Sequence, residues 1–131
     1  MFHIFNSQEE RREYGGSAFI EIQFCRLPND TSLSEIVAVN SIKNWMNDSL
    51  YVDDENEFYS EYSHIFDCGT YNNMKNGIVD IYGINYYAPS QIEMLQSRIL
   101  EDKPAEYEVM VQWLECAKQY NGFYRHIVDI F

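Results

Sequence analysis

The side chains able to do chemistry in this chain are few, and their spacing is poor for it. The three histidines, His3, His64 and His126, stand in no H-E-x-x-H, H-x-E with a following P-C-x-x-C, or G-x-S-x-G context, so neither a zinc centre nor a serine nucleophile is signalled. His64 precedes Asp67 and Cys68 by three and four residues, which on a helix would place all three on one face. That is the nearest approach to a Cys/His nucleophile, but no third orienting residue marks it, and the surrounding carboxylates oppose thiolate formation. Asp53, Asp54 and Glu57 could collect a divalent cation, yet D-D-E-N-E lacks the D-x-[DN]-x-[DN]-G pattern and its glycine. Six glycines form neither G-x-G-x-x-G nor a P-loop, so no phosphate cradle is evident. Cys25, Cys68 and Cys116 lie far apart without a C-x-x-C pair and are expected as small core residues. The expectation is a protein that is not an enzyme and carries no metal and no cofactor.

What the chain does concentrate is negative charge among aromatic rings. Between Lys43 and Lys75 there is no lysine or arginine, while Asp48, Asp53, Asp54, Glu55, Glu57, Glu61 and Asp67 supply seven carboxylates. Trp45, Tyr51, Phe58, Tyr59, Tyr62, Phe66 and Tyr71 are interleaved with them. Disordered acidic tails are poor in such rings because they cannot bury them, so this stretch reads as a folded surface built to meet something basic. The whole chain carries 21 acids against 9 bases, a net −12. That balance disfavours direct contact with nucleic-acid phosphates, which requires Lys and Arg to displace counterions, and disfavours anionic membranes likewise. It favours a basic protein, whose approach it would steer. Tyrosine gives large contact area at low entropic cost. The candidate partner-binding residues are Asp53, Asp54, Glu55, Glu57, Tyr59, Glu61, Tyr62, Asp67 and Tyr71.

The elements that must position them follow from periodicity. At 131 residues, 46% of them hydrophobic, the chain suits one domain, residues 1–131. Residues 1–5 suit a short strand, 8–13 an exposed loop or helical turn, and 19–27 an alternating half-buried strand. Ser32 and Glu35 form a capping box opening a helix over 33–47, with Ile36, Val39, Ile42 and Met46 on its apolar face. Residues 48–76 are ambiguous: 57–66 fits a helix with Phe58, Tyr62 and Ile65 on one side, or an aromatic strand. GIVDIYGINYY, 77–87, is apolar on both faces and suits a central strand. Ser90 and Glu93 form a second capping box before Ile92, Leu95 and Ile99, a helix that stops before Pro104. Pro104 fits the first turn of another, whose buried face is Tyr107, Met110, Val111 and Leu114. Asn121-Gly122 suits a left-handed cap, and 123–130 a closing strand. The fold class is therefore α+β: an antiparallel or mixed sheet with helices mainly on one face, including a C-terminal αα-hairpin over about 89–121.

In the C-terminal half, I-Y-G-I-N-Y-Y (81–87), E-Y-E-V-M-V-Q-W-L-E-C-A-K (106–118) and Y-N-G-F-Y (120–124) resemble small bacterial immunity proteins of contact-dependent growth inhibition and related polymorphic toxin systems. The resemblance covers roughly residues 78–125 and carries no inhibitory residue with it. It implies a cytoplasmic antitoxin that binds one cognate toxin domain, often a nuclease. A nuclease needs basic residues to hold its substrate, and an acidic surface can cover them as a decoy. A phage-type DNA mimic directed at a host nuclease or restriction complex fits the same acidity. A small enzyme, and a subunit of a larger assembly, remain the alternatives from other classes. No basic segment followed by an apolar stretch opens the chain, and no apolar run approaches a membrane span, so a cytoplasmic location is expected.

Overall fold

The computed structural model describes residues 1–14, 18–38, 42, 46–66, 71–72 and 84–129, with the backbone alone at 18–19, 71–72 and 127–129. The elements, in order, are β1 (Phe2–His3), α1 (Gln8–Tyr14), β2 (Ala18–Phe24), α2 (Leu33–Ile36), β3 (Leu50–Val52), α3 (Glu55–Tyr62), β4 (Tyr71–Asn72), β5 (Asn85–Tyr87), α4 (Ile92–Asp102), α5 (Tyr107–Ala117) and β6 (Phe123–Asp129). Among the described residues six strands form one sheet in the order β1-β3-β2-β6-β5-β4, and every pair is antiparallel. This is the α+β class expected. The central pair joins β2 to β6 from Ala18↔Asp129 to Phe24↔Phe123.

Alternation along β2 divides the sheet into two different faces. Ile20, Ile22 and Phe24 point to one side, where they meet Leu50, Val52, Tyr87 and Phe123. On this floor lie α3, α4 and α5, through Phe58, Tyr62, Leu95, Ile99, Met110, Trp113 and Leu114, all in the same core. Its cohesion is largely aromatic: the Phe24 ring stacks on Trp113 and on Tyr120, each at 4.4 Å between centroids. Offset and edge contacts of this kind add to the apolar burial that drives the packing. On the opposite face Cys25, Ile36, Val37, Tyr86 and Tyr124 make a smaller core under α2, with the Tyr124 hydroxyl donating to the Ile36 carbonyl at 2.7 Å. Among the described residues, three longer helices thus cover one face and two short ones the other.

The αα-hairpin is present, and β5 and β6 lie side by side as its geometry suggests. Its turn is strained: Lys103 and Glu106 both have positive φ, 48° and 56°, a region that non-glycine residues adopt at a cost. Pro104 is buried within this turn rather than opening α5, which starts at Tyr107. Gly122, at φ 78°, needs its missing side chain: a Cβ there would stand 2.2 Å from the Tyr87 carbonyl oxygen.

Several expected boundaries are corrected. The helix expected over 33–47 is the single turn Leu33–Ile36. Ser32 makes no cap bond; its hydroxyl meets that of Ser34 at 3.3 Å, so the capping box does not form. Ile36 and Val37 nevertheless turn inward, and Ile42 packs on the same core, while 39–41 and 43–45 lie outside the described residues. The second capping box is shifted upstream, where the Gln91 side chain accepts from the Ala88 N–H at 3.2 Å across a 3-10 turn, Pro89–Gln91. The segment 8–13 is a helix, and 57–66 takes its helical alternative as α3, with Phe58, Tyr62 and Ile65 all buried. Of the strand expected over 77–87, Asn85–Tyr87 is described, buried on both faces but next to the edge strand rather than central. Cys25 is buried as expected, Cys116 is exposed, and Cys68 lies outside the described residues.

An acidic face on the third helix and the helical turn beside it

The candidate residues are organised by α3. Asp54 caps it, its carboxylate accepting from the Glu57 N–H at 3.0 Å, and the acids of the first turn complement the helix dipole. Phe58 and Tyr62 turn into the core. Glu57 and Glu61, one helical turn apart, follow a different stripe. This stripe meets the strained α4–α5 turn. Glu61 Oε1 accepts from the Ala105 N–H at 2.6 Å, while the Tyr62 hydroxyl donates to the Ala105 carbonyl at 2.6 Å. Glu106, swung out by its positive φ, lies 3.0 Å from the amino nitrogen of Met1, which also faces Asp53 at 3.7 Å. Asp102 meets His64 at 2.6 Å.

Five carboxylates separated by up to 53 residues, Asp53, Glu57, Glu61, Asp102 and Glu106, are thereby gathered around one helix and one turn. Their field is felt locally. Burial raises the Tyr62 hydroxyl pKa, and the charges of Glu106, Glu61 and Glu57 raise it further. Asp53 is held in place by two more groups, accepting from the Tyr14 hydroxyl at 2.7 Å and from His3 Nε2 at 2.8 Å. Partial burial would raise the Asp53 carboxyl, but these hydrogen bonds outweigh it and hold its pKa below the ordinary value.

The expected site residues therefore have different fates. Asp53, Asp54 and Glu55 are exposed, and Glu57, Tyr59 and Glu61 are half-buried. Tyr59 packs against Phe58 and lies 6.0 Å from the Arg125 guanidinium. Tyr62 is a correction: it is fully buried and belongs to the core, because it falls on the inward stripe of α3 with Phe58. Asp67 lies outside the described residues, as does the side chain of Tyr71, whose backbone is part of β4. Asp48 is engaged elsewhere, with Arg26 at 2.5 Å. Asp102 and Glu106 were not among the candidates, and no local signal could add them. The density of acids in E-D-K-P-A-E-Y-E hints at an exposed turn, but its position beside α3 is a tertiary fact.

Of the catalytic and metal candidates, Asp67 and Cys68 lie outside the described residues, and Asp53, Asp54 and Glu57 stand together at the start of α3. His64 faces Asp102, with both side chains about half exposed, and His126 faces Gln23 at 2.8 Å. Among the described residues no group of three His, Cys, Asp or Glu side chains is placed to hold a metal ion, and no helix is long and apolar enough to cross a membrane. No family model matches the chain, and neither a curated protein nor a solved structure does.

Proposed function

We propose that this protein is an immunity protein, a non-enzymatic inhibitor that binds and neutralises a basic toxin domain, of nuclease type, in the cytoplasm of the cell that makes both. The observation that supports it is the acidic face just described. Asp53, Glu61 and Glu106 are each fixed by hydrogen bonds or an ion pair within the fold, so the surface around Asp54, Glu55 and Glu57 is ordered before any partner arrives. Preorganisation of this kind lowers the entropic cost of association. The net charge of −12 adds long-range steering towards a basic surface, and the sequence resemblance over residues 78–125 points to the same class. In this reading carboxylates of α3 engage the Lys and Arg with which a nuclease holds its substrate, and Tyr59 contributes apolar contact at the rim. A desolvated pair at the centre would contribute roughly 2–5 kcal/mol on truncation, whereas rim charges would act on association rate and salt dependence.

The test is co-purification of the chain with the toxin domain encoded immediately upstream of it, followed by calorimetric titration over a salt series. Tight binding that weakens with ionic strength, and that Glu55→Lys with Glu57→Lys weakens further, is the expected result. Binding indifferent to both would remove this face from the interface, and capture of a host nuclease or restriction complex instead would favour the DNA-mimic reading.

A further inference from the structure

On the far side of the sheet from α3 the central strand carries an acid where an apolar residue would be expected. Glu21 lies in the middle of β2, directly opposite Tyr51 of β3 and His126 of β6. Its side chain has no exposed surface, and neither carboxylate oxygen has a hydrogen-bond partner of good geometry. Around it stand the Ser49 and Tyr51 hydroxyls and the Arg11 guanidinium, with His126 Nε2 at 3.6 Å from Oε1 and Gln23 bonded to that same nitrogen. The backbone of Met46 completes the surround. The cover over this cluster includes α1, a helix of only seven residues, whose Arg11 is buried and lies 5.6 Å from the Tyr51 ring centroid. At its end the Tyr14 hydroxyl reaches Asp53 at 2.7 Å and His3 Nε2 at 3.0 Å.

We propose that Glu21 is a proton-operated latch for α1: with its carboxyl neutral the helix lies closed over it, and ionisation, whose desolvation cost outweighs the attraction of Arg11 on that helix, favours lifting α1 to let water reach the anion. A buried carboxylate without adequate hydrogen bonds is expensive, so the fold selects the neutral form unless the cover opens. Burial, opposed by Ser49, Tyr51 and Arg11, pushes the Glu21 pKa up to about 7, which places the change near neutrality. Because Tyr14 of the same helix bonds Asp53, the latch connects the interior of one face to the edge of the acidic surface. The inference stands on the Glu21 geometry and does not require the binding reading.

The experiment is hydrogen exchange of the α1 amides, corrected for intrinsic pH dependence, in the wild type and in Glu21→Gln. Opening about tenfold more frequent at pH 8 than at pH 6 in the wild type, and independent of pH in Glu21→Gln, is the expected pattern. His126→Gln should retain the transition. PH-independent protection of α1 in the wild type, or a transition that disappears with His126, would overturn the proposal. Should Glu21→Gln fail to fold, the carboxyl carbon of Glu21 in the wild type decides it by NMR. Titration near 7, in step with the α1 shifts, supports the latch, and titration below 5 refutes it.

Discussion

The two faces of the sheet are made by the same strands and solve opposite problems. Under α3, α4 and α5 the strands present Ile20, Ile22, Phe24, Leu50 and Val52 to an aromatic core, and the buried Arg125 on that face lies over the Phe58 and Tyr59 rings. Under α1 and α2 the intervening positions present Glu21, Gln23, Tyr51 and His126, and the polar groups are enclosed. The difference teaches that position relative to the sheet, more than local composition, determines what a carboxylate does. Those on α3 set the surface potential, while Glu21 sets a response to pH.

The comparison is broken most severely at the aromatic core. Tyr62→Ala removes a fully buried ring and its bond to Ala105 and should cost about 3–5 kcal/mol in denaturant unfolding, whereas Tyr62→Phe, losing the hydroxyl alone, should cost about 1 kcal/mol. Next comes Glu21. Its pKa rises on folding from 4.5 to about 7, so folding favours the proton: the associated stability is complete below about pH 4.5 and is withdrawn as pH climbs through about 7. The shift corresponds to roughly 3 kcal/mol, and Glu21→Gln should flatten that part of the stability–pH profile. Asp54→Ala deletes the cap of α3 and should cost about 1 kcal/mol, measurable by thermal melting. Smallest in stability, Glu55→Gln with Glu57→Gln should fall within about 0.5 kcal/mol of the wild type. Their signature is instead a several-fold slower association with a basic partner at low salt, read by stopped flow. A loss of stability there as large as that of Tyr62→Ala would erase the distinction between the faces.

The same distinction governs what the sequence made legible. Strong alternation within 19–27, helical spacing in Leu95, Ile99, Met110 and Leu114, and the left-handed Gly122 were readable because short-range periodicity and backbone sterics dictate them. The helix expected over 33–47 failed where Ser32 does not cap and the chain leaves helical geometry after Val37. In α3 the pattern contained the answer, since Phe58, Tyr62 and Ile65 share a stripe, but composition drew attention to Tyr62 as a surface ring. Asp102 and Glu106 join the acidic face through contacts spanning 38 and 44 residues, His64 to Asp102 and Ala105 to Glu61, which no window along the chain can see. Glu21 was read only as one half of an alternating pattern. Its enclosure depends on Arg11 and His126, brought to it from opposite ends of the sequence.

The pairing of β2 with β6 also sets a schedule. At synthesis rates of roughly 5–20 residues per second, the ribosome needs on the order of 5–20 s to make the chain between Phe24 and the strand that completes its ladder. Throughout that interval the nascent chain holds an apolar, β-prone segment with one long edge open, the arrangement that invites misfolding and chaperone capture. Sheet closure by a contact spanning most of the chain predicts slow refolding compared with helical proteins of this size. A toxin-neutralising role would then be available only some seconds after β2 emerges, a delay built into the order of the strands.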